Sequence, residues 1–169
     1  MIRSFAFLVV LVVVAMASTV NAELFTGKWK MTYARNGEKK LYTAPKQKEH
    51  ESPAAMAKDP VKPVYISITH HENENGVATK NHMYDIRIAA SNKFSGKVKT
   101  GIVSANGQKA SVHISTLAST RMMPSEEMQP TENFINEHFP KVDLFEVKGG
   151  DLYMIGSDEV IIKCVRVQK

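Results

Sequence analysis

The sequence predicts a mainly β (α+β) fold: a small antiparallel β-barrel or strongly curled sheet of about eight strands with one packed α-helix. Three observations predict it. Apolar and polar residues alternate with period two in short runs, as in Val64, Ile66 and Ile68 against Tyr65, Ser67 and Thr69, so one face is buried and the other meets solvent. Turn pairs separate the runs: Asn36-Gly37, Asn75-Gly76, Asn106-Gly107, Gly149-Gly150 and Gly156-Ser157. Asn-Gly is favoured where a tight hairpin needs positive φ. Only one segment carries a helical period.

The chain opens with Arg3 ahead of the apolar run "FAFLVVLVVVAMA", followed by "TVNA" with small residues at Val20 and Ala22. This is the pattern of a secretory signal peptide over residues 1–22. The apolar core, about 13 residues, is shorter than the roughly 20 of a membrane-spanning helix, so no stable membrane span is expected after cleavage near Glu23. "FTGKWKMTYA" is the first strand, in which Trp29 can plug one end of a barrel. Residues 43–63, with prolines and many charges but no apolar period, read as a mobile insertion.

"VYISITHH" and "HMYDIRIAA" follow as the next strands, with Tyr84, Ile86 and Ile88 alternating against Asp85 and Arg87. "GKVKTGIVS" and "KASVHIST" flank the Asn106-Gly107 turn. "PTENFINEHF" is the helix. Pro130 stands early, Glu132 lies near the positive end of its dipole, and Pro140 stops it. Thr131, Phe134, Ile135 and His138 fall on one face. "KVDLFEV", "DLYMIG" and "EVIIKCVRV" are the closing strands.

Residues 23–169 suit a single domain with one core. The formal charge of +5 is spread along the chain and interspersed with acids. It reads as ordinary solvation and excludes a concentrated nucleic-acid-binding stripe. The single cysteine, Cys164, reads as a buried small hydrophobe in the last strand, and one thiol alone makes no internal disulfide.

The sequence offers little catalytic chemistry. His70, His71 and His82 flank one turn, but a zinc site needs three or four converging ligands, so no metal is expected. Neither a G-x-S-x-G elbow nor a glycine-rich phosphate loop occurs, and no cofactor or enzymatic activity is expected.

Several segments together resemble the META domain of the HslJ-like family, in a secreted form nearest the kinetoplastid branch. They are "GKWKMTYARNGEKK", "ASNKFSGKV", "LASTRMMPSEEMQPTENFI" and "FEVKGGDLYMIGSDEVIIKC". The matching positions are Trp29, Asn92, Phe94, Gly96, Thr120, Met122, Met123 and Glu132. Bacterial members often carry cysteines where this chain has Ser91 and Pro124.

The resemblance implies a non-enzymatic secretory-pathway protein, secreted or held at the cell surface or in the endomembrane lumen. It would bind a protein partner in secretion, stress tolerance or virulence. The candidate binding residues are Arg121, Met122, Met123, Asn92 and Phe94. If residues 121–123 are extended, Met122 and Met123 point to opposite sides, so one can fill the core while the other meets the helix or the surface. The alternative is a lipocalin-like carrier of a small apolar ligand, since that class shares the Gly27-x-Trp29 pattern and needs an open interior.

Overall fold

The computed structural model describes residues 24–45, 62–72 and 82–168. The expected signal peptide, most of the 43–63 insertion and the Asn75-Gly76 turn lie outside the described residues.

Among the described residues ten strands form: β1 Gly27–Asn36, β2 Lys39–Thr43, β3 Tyr65–His70, β4 Met83–Ala89 and β5 Lys93–Val103 precede β6 Lys109–Ile114, β7 Ala118–Ser119, β8 Val142–Lys148, β9 Asp151–Gly156 and β10 Val160–Arg166. Eight of them run as an antiparallel meander, β1-β3-β4-β5-β6-β8-β9-β10, and β10 pairs back onto β1 to close a barrel. Closure removes the unpaired edges that an open sheet would expose. The short β2 and β7 are additions, pairing with β1 and β5 respectively. Neither was anticipated, because β2 and β7 are too short or too polar to show a period.

The alternation read from sequence places Ile66, Ile68, Ile86 and Ile88 inside, each at most 1% exposed. Trp29, Met31, Phe94 and Phe145 join them, and the inward side chains pack into one continuous core. An eight-stranded barrel is just wide enough for side chains to fill it or for one small ligand to enter. Here the side chains fill it. Burying each large apolar group contributes about 1.5–3 kcal/mol. In β1 a bulge between Met31 and Tyr33 shifts the alternation, so Ala34 turns inward.

Trp29 seals one end. Its Nε1 donates to the Phe25 carbonyl at 3.0 Å, and the Arg166 guanidinium lies 4.2 Å from the centre of its ring. Arg166 also donates to the carbonyls of Leu24 and Thr26, tying the last strand to the residues before β1. Gly27 adopts a φ of 123°, and a Cβ there would come within 2.8 Å of Arg166. Any side chain at position 27 would therefore strain the backbone and push the guanidinium away.

The helix α1, Gln129–His138, crosses the other end. Thr131, Phe134 and Ile135 are buried as the spacing predicts, and a 3₁₀ turn at Phe139–Lys141 carries Pro140 into β8. His138 Nδ1 lies 2.7 Å from Asp158 in the β9–β10 turn, and Lys141 approaches the same carboxylate at 3.4 Å. Burial pushes the Asp158 carboxyl up, but bonds from His138, the Val160 N–H and Lys141 outweigh it and hold the group below its ordinary value.

A depressed carboxyl stabilises the fold above the unfolded-state pKa of about 3.9, and that contribution disappears as pH falls through the folded-state value. The stability difference between wild type and Asp158→Asn should therefore be larger at about pH 6 than at about pH 3. Denaturant melts of both proteins across that range check this. A difference that does not change with pH would show that the contact does not depend on the ionised carboxylate.

Cys164 is wholly buried in β10, and burial pushes its thiol pKa up, as expected of a small hydrophobe rather than a reactive group.

Candidate functional site

The β4–β5 turn brings Asn92 beneath the chain segment that leads from β7 to α1. Asn92 is 3% exposed and uses every polar position of its side chain. Its Oδ1 accepts from the Thr120 hydroxyl at 2.8 Å and from the Met122 N–H at 3.0 Å. Its Nδ2 donates to the Met122 carbonyl at 2.8 Å and to Glu132 Oε2 at 2.6 Å. The Asn92 backbone N–H completes the set with a 2.7 Å bond to Glu132 Oε1. An amide offers two donors and two acceptor positions, and all four are engaged.

Four of the positions matched by resemblance, Asn92, Thr120, Met122 and Glu132, thus meet in one network. Glu132 stands in the first turn of α1, as expected, and its side chain is only 5% exposed. Its carboxylate reaches from the first turns of α1 to the β4–β5 turn, and so ties helix to barrel.

The consequence falls on residues 121–123. Both backbone groups of Met122 are held by one buried amide, and the side chains turn outward. Met122 is 59% and Met123 96% exposed, and Arg121 is exposed beside them. The expectation that one of the two methionines fills the core is therefore corrected. The Asn92 bonds replace strand pairing here, and Met128, 1% exposed, is the methionine of this segment that is buried. Its sulfur accepts a bond from the Lys62 N–H at 3.3 Å.

The other two candidate residues lie inside. Phe94 is 1% exposed and belongs to the core, and Asn92 positions the segment from beneath. Gly96 allows the segment after β6 to lie close, since a Cβ there would come within 2.8 Å of Leu117.

Two adjacent histidines are engaged by their neighbours. His71 Nδ1 lies 3.0 Å from Asp85, and His70 stacks against Tyr84 with ring centres 5.1 Å apart. Among the described residues no three His, Cys, Asp or Glu side chains converge as metal ligands. Among the described residues, too, no helix is long and apolar enough to cross a membrane.

No protein-family model and no curated protein matches the chain. A protein from Burkholderia xenovorans, solved by NMR, is similar over 89% of this chain and 88% of that chain, with a TM-score of 0.49 and 10% identity.

Proposed function

We propose that this chain is a non-enzymatic protein-binding factor, and that Arg121, Met122 and Met123 form its binding edge. One observation carries the reading: a buried, fully bonded amide fixes a segment whose large apolar side chains project into water. Solvated methionines gain nothing for the fold, whereas a pre-ordered Met-rich edge loses little entropy on association and adapts to a partner's shape. The export signal read in residues 1–22 would place this activity in the secretory pathway, in keeping with the META-domain resemblance.

The carrier reading has less support. A carrier needs an accessible apolar interior, and the inward positions of this barrel are occupied by Trp29, Phe94, Phe145 and the isoleucines that pack against them.

The triple substitution Arg121→Ala, Met122→Ser, Met123→Ser should leave stability nearly unchanged, each exposed side chain mattering by about 0.5 kcal/mol or less. It should abolish co-purification of the protein's cellular partner. Retention of the partner by the variant would exclude the edge. Saturable one-to-one uptake of a fluorescent fatty acid would favour the carrier.

A further inference from the structure

The barrel's outer face gathers a set of cations that the linear sequence keeps apart. The register aligns Lys28, Ser67, Arg87, Ser95 and Ala118 in one row across β1, β3, β4, β5 and β7. Tyr65, Ala89 and Lys93 form the adjacent row on the same face. Small side chains at Ser67, Ala89, Ser95 and Ala118 leave a depression between longer ones, a groove of about 700 Å³. Among the described residues three cations line it and no carboxylate does. None of the three forms an ion pair among the described residues. Asp85, two residues from Arg87 along β4, is engaged by His71.

The groove ends at Ser119 and Thr120, which adjoin the exposed Arg121, Met122 and Met123. Thr120 is fixed here twice over, its N–H bonded to the Lys93 carbonyl and its hydroxyl accepting from the Lys93 N–H, each at 3.0 Å. The chain thus runs directly from the cationic groove into the apolar edge, with Thr120 and Met122 both held by hydrogen bonds.

We propose that this groove binds an extended acidic peptide segment of a partner protein, its carboxylates on Lys28, Arg87 and Lys93 and its apolar side chains on Met122 and Met123. The inference names the partner class for the binding edge, and so rests on that reading. Charge complementarity selects the occupant: cations that form no ion pair among the described residues, set around a concave floor with the hydroxyls of Ser67, Ser95 and Ser119 as neutral donors, match a chain of carboxylates. A membrane surface is flat and would call for cations on a protruding face. Single-stranded nucleic acid would need open aromatic platforms, and Tyr65, the aromatic ring on this outer face, carries Lys28 Nζ at 5.0 Å from its centre.

The test uses the chain from residue 23 onward and a fluorescent decapeptide of alternating Glu and Leu. Its control has Gln in place of Glu. Saturable one-to-one binding of the Glu peptide is expected, at least about tenfold tighter than the Gln peptide and weakened by salt. Arg87→Ala and Lys93→Ala should each weaken it by about tenfold or more, while denaturant midpoints stay unchanged.

Equal affinity for the two peptides, no measurable binding of the Glu peptide, or indifference to both groove substitutions would overturn the groove assignment. Loss of peptide binding in the Met122→Ser, Met123→Ser variant alone would leave the edge standing without the groove. Binding to phosphatidylserine vesicles that Arg87→Ala abolishes, with no peptide binding, would reassign the surface to a membrane and overturn the proposal.

Discussion

Replacing Trp29 by alanine should lower the unfolding free energy by about 3–5 kcal/mol, the usual range for emptying a large aromatic site. That is a large fraction of the roughly 5–15 kcal/mol available to a domain of this size, and corresponds to a fall in melting temperature of roughly 10 °C. The magnitude follows from the position. Trp29 has no exposed surface, closes one end of the barrel, and serves as the platform for Arg166. Its removal opens a cavity and also deprives the guanidinium of its ring, an interaction of about 0.5–1 kcal/mol or more once desolvated.

Trp29→Phe separates these contributions. It keeps an aromatic face for Arg166 but loses the bond from Nε1 to the Phe25 carbonyl, so its cost should fall well below that of alanine. Thermal and denaturant melts of the two variants give the comparison. A cost under about 1 kcal/mol for Trp29→Ala would show that this end of the barrel is not held by the indole.

The barrel was legible because its information is local. Alternation in β3 and β4 and the glycines of the turns report directly on burial and on positive φ, which Gly37, Gly107, Gly149 and Gly150 all adopt. The helix face was legible for the same reason. The network at the candidate site was not legible: the resemblance marked Asn92, Thr120, Met122 and Glu132 without saying that they touch. Nothing in the period of α1 distinguishes a buried Glu132 from an exposed one, because its burial depends on a turn forty residues away.

The groove lay further still from view. Lys28, Arg87 and Lys93 looked like dispersed solvating charge, and only the register of β1, β3, β4 and β5 places them together. The outward methionines escaped because an extended segment predicts alternation, whereas here a side-chain amide takes the place of a partner strand.

Asn92→Ala should cost about 3 kcal/mol, more than any exposed substitution, because it leaves the buried Glu132 Oε2 and both backbone groups of Met122 without their partner. Stability alone does not separate a structural role from a positioning one, so the Met122 amide provides the second measurement. In the wild type its N–H is bonded to Asn92 Oδ1 and should exchange slowly for an exposed residue.

Asn92→Ala combined with Glu132→Leu replaces both polar side chains by apolar groups, although the backbone N–H of residue 92 then loses its Glu132 Oε1 acceptor. It should recover part of the lost stability, with a coupling energy of about 1–3 kcal/mol between the two positions. It does not restore the bonds to Met122. In the double variant stability should therefore be partly regained while the Met122 amide exchanges fast and partner capture weakens, since a loosened edge must be ordered on binding. If capture is instead undiminished with that amide unprotected, the network only holds α1 to the barrel, and the binding edge owes nothing to its rigidity.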